Sequence, residues 1–197
     1  MSLEVHLAPL GLVVGEVYTY AHAGGERIGF RYSAEWLESE ERFCIDPELY
    51  LDLRTTSPKR AGVFGALSDC APDRWGRQLM QRAERRAAER EARDVRTLSP
   101  MDYVLGVSDA SRLGALRFFA DGEYQAQREE IPPLLRLESL LDASGRFGRG
   151  EESDDDFDLI FAPGSSLGGA RPKASILDAH GNLSIAKFPR DGDEYSI

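Results

Sequence analysis

Cysteine and histidine are scarce in this chain of 197 residues, which has two of the first and three of the second. Cys44 and Cys70 stand far apart with no Cys-x-x-Cys pair. That excludes a disulfide framework and a structural zinc site, and makes a reducing cytoplasm the expected compartment. His6, His22 and His180 are scattered, so no metal-ligand spacing and no Ser/His/Asp or Cys/His set can be read. Long apolar runs are missing too, and none approaches the roughly 20 residues that a bilayer requires. Residues 1–12 have no basic start and are interrupted by Glu4, unlike a secretory signal. Positive charge is in deficit: 24 Lys and Arg face 34 Asp and Glu, a formal net charge of −10. Taken whole, such a chain is repelled by nucleic acid.

Enough apolar residues remain, 42% of the total, to build a core beside 29% charged residues. The first third reads as β-structure with turns. The run 11–18 is a strand, Ala23-Gly24-Gly25-Glu26 a turn, and Ile28-Gly29-Phe30-Arg31-Tyr32 a returning strand. Ser33 caps a short helical turn through Trp36 and Leu37. After Pro72-Asp73, the spacing of Trp75, Leu79, Ala83 and Ala87 predicts a helix with one buried stripe. Seven arginines (74, 77, 82, 85, 86, 90 and 93) crowd residues 73–93. A nucleic-acid face is conceivable there, but ion pairing along the helix at i,i+4 spacing, around Arg86, Glu89 and Arg90, explains them more simply.

Ser99-Pro100 announces another short helix, through Val107. Residues 114–119 read as a strand and Asp121-Gly122 as a hairpin turn. Ile131-Pro132-Pro133 punctuates the chain before a helix carrying Leu134, Leu135, Leu137, Leu140 and Leu141. Residues 144–150 read as a polar stretch. Ser153 then caps a helix through Phe161, whose first turn carries Asp154, Asp155 and Asp156 against the positive end of the helix dipole. A boundary falls near residues 120–133.

The glycine-rich stretch from Gly164 fails two phosphate motifs. Gly164 and Gly169 have Walker spacing, but Ala170 and Arg171 stand where lysine and a hydroxyl are required. No G-x-G-x-x-G is present for a dinucleotide fold. A kinase-type arrangement fits better, with a glycine-rich turn over the phosphates and a lysine on a later strand. Residues 174–177 and 183–188 form two strands around the turn 178–182. Alternation puts Ile185 and Lys187 on one face, expected to be the core-facing one. A lysine there needs an anionic partner such as a nucleotide phosphate. Spacing alone leaves a second reading open, an edge hairpin whose Lys187 reaches solvent.

The segment GSSLGGARPKA, followed by a hairpin and IAKFP, resembles the HipA family, the serine/threonine kinase toxins of bacterial toxin–antitoxin systems. Two upstream stretches also resemble it, Pro72-Asp73-Arg74-Trp75-Gly76-Arg77 and Arg112-Leu113-Gly114-Ala115-Leu116-Arg117-Phe118. The resemblance implies an α+β fold: a β-rich amino-terminal domain with packed helices over 1–128, then the beginning of a protein-kinase-like amino-terminal lobe over 129–197. It implies that Gly168, Gly169, Ala170, Arg171, Pro172 and Lys173 line the nucleotide phosphates through backbone N–H groups. Lys187 becomes the phosphate-pairing lysine. Ser166 takes the place of a regulatory autophosphorylated serine, with Ser165 beside it as an alternative and a plain turn serine as the simpler reading. A phosphate there would add about −1.5 to −2 charges and compete with ATP for the same donors.

The family's catalytic and metal-binding aspartates lie well beyond the loop lysine, so they are expected past Ile197. Asp191, Asp193 and Glu194 are too close to the strand and read as a solvated turn. The complete kinase would use ATP and Mg2+ to phosphorylate a serine or threonine of a translation-related protein of the aminoacyl-tRNA synthetase class. A DNA-binding antitoxin of the HipB type would restrain it. These 197 residues alone are expected to be inactive and to bind ATP weakly or not at all. The alternative is a non-catalytic remnant that binds an antitoxin or partner kinase. Neither reading calls for direct nucleic-acid or membrane contact.

Overall fold

A computed structural model gives a mixed α+β architecture and describes residues 2–22, 25–60, 62–109, 112–125, 136–165 and 171–189. The expected features at Ala23-Gly24, Ile131-Pro132-Pro133 and Asp191–Glu194 lie outside the described residues. The chain divides into two compact units that interleave along the sequence. Unit 1 takes residues 1–70, 99–105 and 114–126, and unit 2 takes 71–98, 106–113 and 127–197. Among the described residues, no helix is long and apolar enough to cross a membrane.

Unit 1 is built on a five-stranded antiparallel sheet in the order β3-β2-β1-β4-β5. Its strands are β1 (Ser2–Leu7), β2 (Leu12–His22), β3 (Gly25–Tyr32), β4 (Leu116–Ala120) and β5 (Glu123–Tyr124). The β2–β3 hairpin follows the sequence reading. So does the turn at Asp121-Gly122, where both residues adopt positive φ, 53° and 83°. The sequence reading passed over β1, which lies in the middle of the sheet between β2 and β4. Leu3 and Val5 alternate in its core-facing row and are buried. Opposite β1 a bulge shifts the register of β2, and beside it a Cβ on Gly15 would come within 2.2 Å of the Arg31 carbonyl oxygen. Three short helices complete the unit: α1 (Ala34–Glu38), α2 (Gly65–Ser68) and α4 (Pro100–Leu105). Ser33 caps α1 by accepting from the Trp36 N–H at 3.0 Å. At α4, Ser99 and Asp102 bond each other's backbone N–H groups reciprocally.

Unit 2 packs α3 (Arg74–Arg90), α5 (Leu137–Arg149) and α6 (Asp154–Ser165) with a two-stranded sheet, β6 (Lys173–Leu177) and β7 (Leu183–Lys187). Its core gathers Trp75, Leu79, Leu140, Phe157, Ile160 and Ile176. The α3 stripe starts at Trp75 and Leu79 as expected and then moves to Met80, Glu84 and Ala88. Ala83 still packs, half-buried, against the same core. Residues 144–149, read as a polar stretch, are the last turns of α5. That helix ends on Gly150 in the left-handed region at φ 74°, with the Glu151 N–H reaching back to the Arg146 carbonyl at 2.9 Å.

At the start of α6, Ser153 and Asp156 cap reciprocally, and Asp156 also takes Nε of Arg146 at 2.7 Å. Two of the α3 arginines, Arg82 and Arg86, pair with acids beyond their own helix. Arg82 reaches the buried Glu152 at 2.6 Å, and Arg86 reaches Asp154 at 2.5 Å while its guanidinium lies 4.4 Å from the centre of the Phe157 ring. Arg93 and the Arg96 N–H converge on Glu84. The expected i,i+4 pairing is therefore replaced by pairs to residues that sequence distance hides.

Candidate functional site

The turn Asp178–Asn182 sets the register of the β6–β7 hairpin. The Asp178 carboxylate accepts the N–H groups of His180 and Asn182, both at 2.8 Å, and Gly181 takes φ 80°. These bonds to Asn182 and its neighbours hold the Asp178 carboxyl below the usual carboxylate range. Lys173 then faces Lys187, Ser175 faces Ile185, and Leu177 faces Leu183. Cross-strand partners share a face, so the two lysines stand side by side at one end and a leucine pair at the other.

Ile185 and Lys187 do share a face, as the alternation requires, but it is not the core face. Leu183 and Ile185 are 50% and 52% exposed and Lys187 is exposed, while Ala174, Ile176 and the half-buried Ala186 supply the core row. The correction follows from composition, because a row of Ser184 and Ala186 is small enough to pack close against helices and the Leu-Ile-Lys row is not. Ser175, on the same side of the hairpin, is itself buried, and among the described residues its Oγ has no hydrogen-bond partner.

The surroundings of Lys173 lower its pKa. Burial comes first and the neighbouring Lys187 ammonium second in pushing its pKa down, and Asp73 opposes them. Asp73 arrives from the start of α3, where the next residue but one, Trp75, donates its indole Nε1–H to the Lys173 carbonyl at 3.0 Å. Arg77 closes the same corner by donating Nε–H to the Pro72 carbonyl at 2.8 Å. Two stretches that carried the family resemblance, 72–77 and 171–173, thus meet 98 residues apart in sequence. Phe188 anchors the hairpin end through its N–H to the Pro172 carbonyl at 2.9 Å.

Of the residues expected to line phosphates, Pro172 is buried, Lys173 half-buried, and Arg171 and Lys187 exposed. Ser166, Gly168, Gly169 and Ala170 lie outside the described residues. Helix α6 extends to Ser165, so the backbone at Gly164 and Ser165 is helical rather than part of a loop. The third stretch of the resemblance holds Arg112 with its side chain fully buried, donating to Asp109 Oδ1 and the Val107 carbonyl, both at 3.1 Å. Among the described residues, no group of three or more His, Cys, Asp or Glu side chains is placed to hold a metal ion. Sequence reasoning missed Ser175 and the Trp75 indole bond. The first was countable from the turn outward; the second leaves no local signal. No family model matches the chain, and a search of curated proteins returns no match.

Proposed function

We propose that the chain is the amino-terminal portion of a HipA-like serine/threonine kinase and that the open face of the β6–β7 hairpin is its half of a nucleotide site. The single observation that carries the reading is that face: two lysines opposite each other, next to an exposed aliphatic row and a buried hydroxyl that has no partner among the described residues. Like charges directly across a strand pair cost stability, typically about 0.2–1 kcal/mol, which a bound polyphosphate reverses. The open Leu183–Ile185 row suits the apolar faces of a base. In this reading Lys187 is the point charge for the phosphates, Lys173 supports it, and Ser175 Oγ supplies a hydrogen bond. ATP with Mg2+ brings the transferable phosphoryl group. The complete protein would pass it to a serine or threonine of a translation-related protein of the aminoacyl-tRNA synthetase class, under restraint by a DNA-binding antitoxin.

The test is a two-dimensional NMR titration of the chain with magnesium-ATP. Weak shifts at the amides of Lys173, Ile185 and Lys187, saturating only at high ATP and lost in Lys187→Ala, are expected, since these residues supply one half of the site. Equal binding by Lys187→Ala would remove the phosphate role of Lys187. A hairpin silent to ATP would leave the non-catalytic, partner-binding reading of the same open row.

A further inference from the structure

Unit 2 contains a cleft of about 640 Å³ between α3 and the last turns of α5, with Pro172 and Pro189 also in its lining. Among the described residues that line it, every charged one is a guanidinium: Arg82, Arg85 and Arg149. In a chain of net charge −10, that is a local reversal of sign. Arg82 is held by Glu152 through Nε, and Arg149 by Glu151 through Nε. Arg85 is exposed and makes no ion pair among the described residues. Guanidinium forks match tetrahedral oxyanions with two parallel hydrogen bonds, better than they match a single point acceptor.

Part of the α5 wall is bare backbone. Gly145 and Gly148 face the cleft, and a Cβ added at Gly148 would meet nothing within 4 Å. Glycine inside a helix costs about 0.5–1 kcal/mol relative to alanine, and no neighbouring atom demands it at 148. The space it leaves is continuous with the cleft. Phe147 and the edge of Trp75 line the same cavity, with the two rings in edge contact at 5.2 Å between centroids. One part of the lining is therefore cationic and another aromatic and proline-rich, in a volume that holds one mid-sized molecule.

We infer that this cleft is a binding site for a small organic phosphate with a flat apolar body, its phosphate on Arg85 and Arg82 and its ring against Phe147 and the prolines. An extended acidic peptide is the weaker fit, because a cleft of about 640 Å³ holds one mid-sized molecule. The site uses neither Lys173 nor Lys187, so it stands or falls apart from the hairpin reading.

The experiment is a ¹⁵N–¹H NMR titration of the chain with phenyl phosphate, with phenol and inorganic phosphate as separate arms. Saturable shifts at Gly145, Gly148 and the Trp75 indole N–H are expected, stronger for phenyl phosphate than for either fragment. Arg85→Gln should weaken binding by about tenfold or more, the loss of one charge-assisted contact. Gly148→Leu should abolish binding while raising thermal stability, because leucine is the better helix former and a Cβ at 148 meets nothing within 4 Å. Lys187→Ala should bind as the parent does. Phenyl phosphate without saturable shifts at millimolar concentration, or with shifts unaffected by both cleft variants, overturns the site. Binding of inorganic phosphate as tightly as phenyl phosphate overturns the aromatic half of it.

Discussion

Glu84 shows how one residue on a helix can fix a segment that has no helix of its own. Its side chain is only 8% exposed, on the buried side of α3, and its oxygens take Arg93 at 2.5 and 3.2 Å and the Arg96 N–H at 3.0 Å. The Arg93 hydrogen bond, then the Arg96 N–H, bring its carboxyl down to about 2, against about 4.3 in an unfolded chain. A depressed carboxylate contributes stability that is full above the unfolded value and is lost as pH falls through the folded one. Glu84→Gln should therefore be less stable than the parent at pH 7, with the gap closing between about pH 4.3 and 2. Urea midpoints at several pH values read this directly, and a gap that stayed constant would show that the carboxylate's charge is irrelevant. Neither the pairing nor its pH window was legible in the sequence. The arginine count was, but not which acid each arginine meets.

At the scale of elements, the legible parts were those whose signal is local. Caps, turns and strand alternation fixed Ser33, Ser99, Ser153, Asp121-Gly122 and the β6–β7 hairpin, since each rests on bonds within a few residues. The turn 178–182 was legible, but the sequence reading began the first strand at 174 and did not pair Lys173 with Lys187, which the register shows. What failed were judgements needing the other side of the contact: which face of β7 is covered, that β1 fills the middle of a sheet, and that 144–149 is helical despite two glycines. The bond from α3 to β6 through Trp75 belongs to this class. Trp75→Phe removes the indole donor to the Lys173 carbonyl and vacates volume in a packed core. The expected loss is about 2–4 kcal/mol by urea denaturation, from the vacated volume and the lost hydrogen bond together. Hydrogen exchange at the Phe188 amide should quicken more than at Ile176. Uniform acceleration would mean that only packing was lost and that the indole bond does not hold the hairpin end.

For the whole molecule the governing fact is the interleaving of the units, since α3 lies in the first half of the sequence while the helices and hairpin that bury it lie in the second. Cutting the backbone at 128/129, where the sequence reading puts a boundary, should strand Trp75 and Leu79 without their partners. Residues 1–128 expressed alone are expected to associate through that face, and co-expression with 129–197 to restore one well-dispersed NMR spectrum. A monomeric, well-dispersed 1–128 would show that α3 finds cover within unit 1 instead. The same interleaving imposes a schedule on synthesis. About 100 residues separate the end of α3 from Phe188, so at about 5–20 residues per second the ribosome leaves the apolar side of α3 waiting for some 5–20 seconds. During that interval the nascent chain presents Trp75 and Leu79 to any holdase nearby, and slowing translation of 137–188 lengthens its exposure to such capture.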